Sequence, residues 1–318
     1  MINIIPENDQ KRKWFAILTS TLLAGLITIW GIYGIGEYGI ALFILTPLYI
    51  GISTTILYGI KKGISKKNSA HYSFISLTFL LFGLFLFAIE GLICILMVLP
   101  LAIILTWLGS YIGYLFVDNG KTKSSLLLLV SICLIPTTAF IEHRNSPDLT
   151  SVVSYIDINA TPEEVWKNVI EFPELTKPNE LIFKSGISYP INAKIIGDGV
   201  GAIRYCNFTT GSFVEPITVW NEFELLKFNV LDQPAPMKEL SFWDIDAPHL
   251  HDYFISKEGQ FKLTKLNNGK TRLEGTTWYY HNIKPAVYWK LWSNYIIHKI
   301  HMRVLNHIKT NSEGVILY

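Results

Sequence analysis

Histidine and aspartate side chains concentrate in one stretch of the second half of the sequence. His249 and His251 alternate there, and Asp244, Asp246 and Asp252 surround them. Two imidazoles on one face together with a carboxylate can bind zinc. The same residues are typical of a polar loop whose side chains hydrogen-bond to the backbone. We adopt this second interpretation, and we predict no metal and no cofactor.

Two other arrangements could carry catalysis. Ser241, Asp244 and His249 have the residue types of a nucleophile–base triad, but no Gly-x-Ser-x-Gly elbow surrounds the serine. His298 and His301 are three residues apart in a predicted helix, where they fit its polar face. We therefore predict no catalytic residues, and the sequence favours a protein that is not an enzyme.

Arg204 and Glu215 fall on neighbouring predicted strands. Side chains alternate between the two faces of a strand, so the pleat decides where Arg204 points. If it points inward, it can anchor the polar head of a ligand together with Glu215. If it points outward, it is a solvated surface charge. The sequence leaves both alternatives open.

The elements that must position these residues follow from an uneven composition. Of the 318 residues, 50% are hydrophobic and 16% are charged, whereas about 25% of the residues of soluble domains are charged. Charged residues are sparse between Trp14 and Ile141 and frequent from Glu142 onward. The net charge of +2 indicates no nucleic-acid partner, and three cysteines provide no disulfide framework. A membrane half followed by a soluble half is predicted.

The membrane half, residues 1–142, is predicted to be an all-α bundle of about five helices. A span needs roughly 20 apolar residues. The stretch from Ser73 to Val117 is too long for one span, and Glu90-Gly91 is its predicted reversal point. The predicted spans are 14–33, 38–60, 73–89, 92–117 and 125–141.

Basic residues predict the orientation of the bundle. They precede the first span and fill the second and fourth connections, and the other two turns lack them: Lys11, Arg12, Lys13, Lys61, Lys62, Lys66, Lys67, Lys121 and Lys123. By the positive-inside rule, the N-terminus lies in the cytoplasm and the C-terminal domain is extracytoplasmic, on the cytoplasmic membrane. A re-entrant segment in 73–117 would reverse this. Few charges lie within the spans, which indicates an anchor rather than a transporter.

The soluble half is predicted to be an α+β domain over residues 150–312. Its pattern is one strand, two helices, six strands and a long helix. Thr161, Pro162 and Glu164 form a capping box that begins the first helix. Asn267-Asn268-Gly269 predicts a hairpin. The last helix is predicted from Pro285 to about Lys309, with one apolar face made of four residues: Tyr288, Leu291, Trp292 and Tyr295.

Two segments of this half resemble a known superfamily. The run Ile158–Phe172, with its Thr-Pro-Glu-Glu-Val-Trp core, is similar to the opening of START-like (SRPBCC) domains of the polyketide cyclase/dehydrase group. The segment Leu273–Tyr280 and the aromatic helix after it are similar to the end of that group. The resemblance implies the helix-grip fold, a curved antiparallel sheet around a long C-terminal helix, and a deep pocket for a hydrophobic ligand. Its members include carriers, receptors and cyclases, so activity is not implied.

We predict a ligand site lined by aromatic side chains with a few polar groups. The candidates are Arg204, Glu215, Trp220, Trp243, His249, Tyr280, Tyr288, Trp292 and Tyr295. Residues 232–258 are predicted to be a long loop that either covers the pocket as a lid or touches the membrane.

The expected function is binding of a lipid or another hydrophobic small molecule beside the bilayer. A cyclase-like or hydrolytic enzyme that uses the same cavity is one alternative. A sensory or structural protein whose cavity is filled by its own side chains is the other.

Overall fold

A computed structural model describes residues 5–36, 38–60, 62–118, 121–142, 148–243, 245–251 and 253–314. Glu37, Lys61, Arg144, Asp244 and Asp252 lie outside the described residues, as do the side chains of Lys121 and Lys123. The described chain divides into two compact units. The first contains the N-terminal helices together with residues 239–248 and 283–285, and the second contains the sheet.

Five helices of the first unit are long and apolar enough to cross a membrane, by length and composition. They are α1 (Asp9–Ile29, extended by a π-helical turn Trp30–Ile35), α2 (Thr46–Gly59, after a π-helical turn Ala41–Leu45), α3 (Lys66–Leu86), α4 (Leu92–Asp118) and α5 (Lys121–Glu142). Helix α3 ends at Leu86 and α4 begins at Leu92, so the turn between them includes the Glu90-Gly91 position of the predicted reversal.

Aromatic and basic side chains mark one end of the bundle. The start of α1 and the start of α3 place cations over tyrosine rings at the ends of neighbouring helices: Arg12 over Tyr58, Lys13 over Tyr72, and Lys66 over Tyr111 and Tyr114. At the opposite ends of the helices, Tyr38 donates a hydrogen bond of 2.9 Å to Glu90. The helices therefore run up and down, with these basic residues at one end.

Helices α2 and α4 pack through glycine. A Cβ at Gly109 would lie 2.2 Å from the carbonyl oxygen of Leu48, and one at Gly51 would lie 2.3 Å from that of Thr106. Such approaches exclude any side chain, so the two backbones touch directly. The spacing of Gly109 and Gly113 fits the small-residue pattern of membrane helix interfaces.

Hydroxyl groups connect three of these helices. Thr54 of α2 bonds to Ser76 of α3 over 2.9 Å, and Thr55 bonds to Ser69 over 2.6 Å. Ser69 also donates to the carbonyl oxygen of Ser110 in α4. These bonds satisfy buried polar atoms within an apolar bundle, so the residues are explained by helix packing.

The second unit is a seven-stranded antiparallel sheet with three helices. The strands are β1 (Thr150–Ile158), β2 (Pro190–Ile196), β3 (Ile203–Phe208), β4 (Gly211–Asn221), β5 (Leu225–Asn229), β6 (Phe254–Lys265) and β7 (Thr271–His281). Helices α6 (Pro162–Ile170) and α7 (Leu181–Lys184) join β1 to β2, and α8 (Ala286–Ser312) ends the chain. The spatial order is β1-β7-β6-β5-β4-β3-β2.

Alternation along the strands gives this sheet one face that α8 covers. Leu273 and Tyr279 of β7 are fully buried on that face. The Tyr279 hydroxyl donates to Asn294 of α8 over 2.7 Å. The side chain of Thr161 accepts from the Glu164 amide and begins α6, as predicted. The antiparallel sheet with a long C-terminal helix confirms the helix-grip arrangement.

The predicted loop 232–258 was too long at its C-terminal end. Strand β6 begins at Phe254, so the connection from β5 covers only 230–253. In β6, Lys257-Glu258-Gly259 interrupts the alternation of apolar and polar residues that predicts a strand. A bulge between Ser256 and Glu258 also shifts the strand register there. The sequence pattern also predicts that a second short helix starts within Glu174–Asn179, whereas α7 covers Leu181–Lys184.

The predicted apolar face of the last helix was wrong. Leu291 is 67% exposed and Tyr295 is 47% exposed, whereas Trp289 and Ile297 are buried. This part of the helix carries apolar residues on two sides. The exposed residues Leu291 and Tyr295 and the buried residues Trp289 and Ile297 each have a spacing that fits one side of a helix. Only contact with the sheet decides which of the two sides is buried.

The glycine contact between α2 and α4 predicts a sharp difference between two Gly→Ala substitutions. Gly109→Ala should reduce the free energy of unfolding by about 1–3 kcal/mol, because a methyl group is forced into a closed interface. Gly83→Ala in α3 is the control, since a Cβ there meets nothing within 4 Å. Thermal unfolding of both variants in detergent measures the effect, and equal midpoints would contradict it.

Candidate functional site

The helix-facing side of strands β3 and β4 holds a buried ion pair. Arg204 and Glu215 lie directly opposite each other in the strand register and are 2% and 6% exposed. The Arg204 Nη1 donates to Glu215 Oε2, and its Nε donates to the carbonyl oxygen of Ile170 over 3.3 Å. The pleat therefore turns Arg204 inward and pairs it with Glu215.

Three aromatic rings surround the guanidinium group. Its central carbon lies 5.4 to 5.6 Å from the ring centroids of Phe172, Phe228 and Phe261, within the range of cation–π attraction. Burial opposes the charge of Arg204, but Glu215 and Cys206 together outweigh it, and the net effect raises the pKa of Arg204. Burial also raises the pKa of Glu215, against the opposing attraction of Arg204. Within the protein, Arg204 thus has an ion-pair partner, a backbone carbonyl group and three aromatic rings as neighbours.

Further along the same face, aromatic side chains are incompletely covered. Phe208 and Phe213 pack together with ring centroids 4.8 Å apart, and both are only partly buried. Phe254 of β6 is also partly buried and stacks on Tyr279 with centroids 5.2 Å apart. These rings face the interior side of the sheet, where a tightly filled core would bury them.

A polar seam separates α8 from the edge of the sheet. The His301 Nδ1 lies 3.1 Å from the Ser154 hydroxyl, and its Nε2 lies 2.8 Å from the Thr277 hydroxyl. The Nδ1 of His298 also lies 2.8 Å from the Ser154 hydroxyl. Burial, followed by the charge of His298, lowers the pKa of His301 to about 4. His301 is therefore a neutral, hydrogen-bonded residue near neutral pH.

Several predicted site residues have other surroundings. Trp220 packs edge-on against Trp166 in the core, with centroids 5.7 Å apart. Tyr280 lies on the opposite face of β7 from Tyr279, where the ammonium group of Lys257 sits 5.3 Å from its ring. Neither aromatic side chain lies beside the partly exposed rings.

The remaining predicted residues fall near the start of α8 or in the long connection. Tyr288 packs edge-on against Trp289, and Trp292 is partly buried. Tyr295 is exposed, with the ammonium group of Lys299 over its ring. His249 is buried in the short helical turn Pro248–Leu250, and Trp243 is exposed. The hydroxyl of Ser241 accepts a hydrogen bond from the Trp243 amide, which accounts for this serine without catalysis.

Part of the long connection packs within the first unit, a feature that sequence reasoning missed. The Cys94 thiol donates to Glu239 Oε1 over 2.6 Å, and the Leu92 amide donates to the carbonyl oxygen of Leu240. The ring of Phe242 contacts that of Phe85, with centroids 5.7 Å apart. Residues 239–248 therefore pack against the turn that joins α3 to α4.

This contact brings together groups that are able to bind metal. Glu90 and Cys94 place ligand atoms within 4.8 Å of each other, and Glu239 adds a second carboxylate at Cys94. Glu90 and Glu239 are both buried. Carboxylate and thiolate are zinc ligands. Cys94 and Glu239 are 145 residues apart, so no spacing pattern could have predicted the cluster.

Comparisons with known proteins give structural likeness only. No protein-family model matches the chain, and no curated protein matches it. A norcoclaurine synthase of Thalictrum flavum is 13% identical over 54% of this chain and 98% of its own, with a TM-score of 0.34. A protein of Nitrosospira multiformis is 17% identical over 51% and 94%, with a TM-score of 0.33. The Aha1 protein of Colwellia psychrerythraea is 13% identical over 51% and 98%, with a TM-score of 0.30.

All these TM-scores are below 0.5, so the likeness carries no argument about activity. The fold assignment rests instead on the strand order and on the position of α8.

The buried pair predicts non-additive effects on stability. Arg204→Ala should reduce the free energy of unfolding by about 3–5 kcal/mol, because it leaves Glu215 buried without its partner. The double variant Arg204→Met, Glu215→Leu should lose much less, since apolar side chains of similar size replace both charges. Urea unfolding followed by tryptophan fluorescence measures both. A double variant that loses as much free energy of unfolding as Arg204→Ala, or more, would contradict an energetically coupled pair.

His301 predicts a pH dependence. Because its pKa is about 4 in the folded state and about 6.5 in the unfolded state, the unfolded state takes up the proton first as the pH falls. The full stabilisation is present above pH 6.5 and is lost between pH 6.5 and 4, by about 1–3 kcal/mol. His301→Gln should flatten this slope in urea unfolding, whereas His71→Gln, at an exposed position of α3, should preserve it. The same slope in both variants would overturn the assignment.

Proposed function

We propose that this protein is membrane-anchored and that its helix-grip domain binds a lipid or another hydrophobic small molecule between the sheet and α8. The incomplete coverage of Phe208, Phe213 and Phe254 on the interior side of the sheet is the observation that carries this proposal. Apolar rings on an interior face are stabilised when an apolar molecule replaces water around them.

The width of the sheet supports this proposal. Seven strands spaced about 4.8 Å apart extend over about 29 Å, whereas a helix with its side chains is about 10–12 Å wide. Helix α8 packs mainly on β1 and β7 at one edge of the sheet, and its Arg303 also donates to the carbonyl oxygen of Pro190 in β2 at the other edge. The middle strands therefore depend on α6, on the curvature of the sheet and on a bound molecule for coverage.

Charge placement supports the membrane part of the proposal. Arg12, Lys13 and Lys66 lie at one end of five apolar helices. The positive-inside rule assigns that end to the cytoplasm. An odd number of spans then places the helix-grip domain on the extracytoplasmic side. The domain would thus hold its ligand next to the membrane surface.

The buried pair favours a competing function. The hydrogen bonds of Arg204 to Glu215 and Ile170, together with the three rings around it, are sufficient for a purely structural role. In that case the interior is closed, and the domain acts as a structural or sensory module. The two functions differ in whether an apolar molecule occupies the space beside Phe213.

Ligand content separates the two functions. The full-length protein would be purified into amphipols, and its bound lipids and other small molecules would be quantified by mass spectrometry. Phe213→Lys places a charge on the interior face and should reduce the bound amount at least fivefold. Val153→Lys is the control, because Val153 is exposed on the other face of edge strand β1.

A bound molecule at about one per protein, lost only in Phe213→Lys, supports the binding function. Equal, substoichiometric amounts in the wild type and both variants would contradict it.

A further inference from the structure

The first half of α8 is apolar on two opposite sides. Trp289 and Ile297 are buried, and Ile297 packs with Val152 and Tyr279 of the sheet. Val287, Leu291 and Tyr295 are 81%, 67% and 47% exposed. Residues four apart lie on the same side of a helix, so these three form one stripe that faces away from the sheet.

Contiguous apolar residues that stay exposed on one side of a helix indicate a partner for that side. The sheet covers one side of α8, and the stripe of Val287, Leu291 and Tyr295 indicates a second apolar partner. The ammonium group of Lys299 lies 5.6 Å from the Tyr295 ring, at the border of the stripe. Tyrosine and lysine beside an exposed apolar stripe are typical of helices that lie in the membrane interface, where the ammonium group reaches the lipid phosphates.

The chain enters α8 directly from a segment of the first unit. The Lys284 amide donates to the carbonyl oxygen of Tyr38 over 2.8 Å. Tyr38 lies in the connection between the first two membrane-spanning helices, and such connections lie at a bilayer surface. Helix α8 begins two residues after Lys284. At 1.5 Å per residue, Val287 and Leu291 lie within about one and a half helical turns of that point.

A second set of exposed apolar residues lies at the same end of the bundle. Phe242 and Trp243 are exposed on the segment that packs against the turn between α3 and α4, and Phe87 of that turn is exposed as well. Tryptophan and other aromatic residues concentrate at the level of the lipid headgroups. This end of the bundle, from which the chain continues into α8, thus has the composition of a membrane interface.

We propose that the first half of α8 lies on the bilayer surface, with Val287, Leu291 and Tyr295 inserted between the lipid headgroups. The opposite side of the same half faces the sheet. This inference rests on the proposed function and deepens it, because it makes the bilayer itself the source of the bound molecule. A lipid would pass directly between the bilayer and the interior of the domain beside α8.

Depth-dependent fluorescence quenching tests the inference on the full chain. The protein would be placed in nanodiscs of phosphatidylcholine and phosphatidylglycerol, with Cys133→Ser as the parent because Cys133 is exposed. A single NBD label would be attached at Leu291→Cys or, as the matched control, at Val153→Cys. Both positions are exposed and apolar. Lipids with a spin label near the headgroup would serve as the quencher.

The label at position 291 should be quenched at least twofold more strongly than the label at position 153. Equal quenching at the two positions would overturn the inference, provided that both variants keep the thermal midpoint of the parent. A variant with a lowered midpoint would be replaced by Val287→Cys or Tyr295→Cys on the same stripe.

A second measurement separates this inference from the proposed function. The molecule bound to the wild-type protein would be quantified by mass spectrometry and compared with the quenching at position 291. If quenching at 291 is strong but no molecule is bound in the wild type, α8 docks on the membrane and the binding function is wrong. If a molecule is bound but position 291 is not quenched, the binding function stands and the docking of α8 is wrong.

Discussion

One helix has to cover one face of a seven-stranded sheet. If it were flat, the sheet would extend over about 29 Å, whereas α8 is about 10–12 Å wide. The helix therefore packs mainly on β1 and β7, and it reaches the opposite edge through Arg303, whose Nε donates to the carbonyl oxygen of Pro190 in β2 over 3.2 Å. Apolar surface on the other strands has to be covered in another way. Helix α6 and the aromatic residues around Arg204 fill one end of the interior. Beside this cluster, Phe208 and Phe213 pack against it but keep part of their rings uncovered, and a hydrophobic ligand would complete that part of the interior.

The same constraint explains why polar groups lie inside the domain. Arg204 and Glu215 lie among aromatic rings, where an unpaired charge would be severely destabilising, and each is the ion-pair partner of the other. His301 lies between α8 and the sheet, where the hydroxyl groups of Thr277 and Ser154 bond to its two ring nitrogens. Such groups fix the position of α8 and the register of the strands, because any slip would leave a buried polar atom without its hydrogen bond.

Local signals allowed much of this architecture to be predicted from the sequence, and distant contacts account for what was missed. The capping residue Thr161 and the hairpin at Asn268-Gly269 depend only on neighbouring residues, and both are present as predicted. Contact between Glu239 and Cys94 depends on the folding of the whole chain, and no local pattern encodes it. Tyr280 was predicted as a site residue because it is aromatic, but side chains alternate along β7, so Tyr280 lies on the face of the sheet opposite to α8.

Site-resolved photocrosslinking in native membranes shows whether the interior of the helix-grip domain receives an apolar molecule. Cells would be supplied with a fatty acid that carries a diazirine group, irradiated, and the labelled peptides of the purified protein identified. We expect labelling of the peptide that contains Phe208 and Phe213, suppressed by an excess of unlabelled fatty acid, in addition to labelling of the five apolar helices of the first unit. Labelling confined to those five helices would show that the interior of the helix-grip domain takes up no apolar molecule.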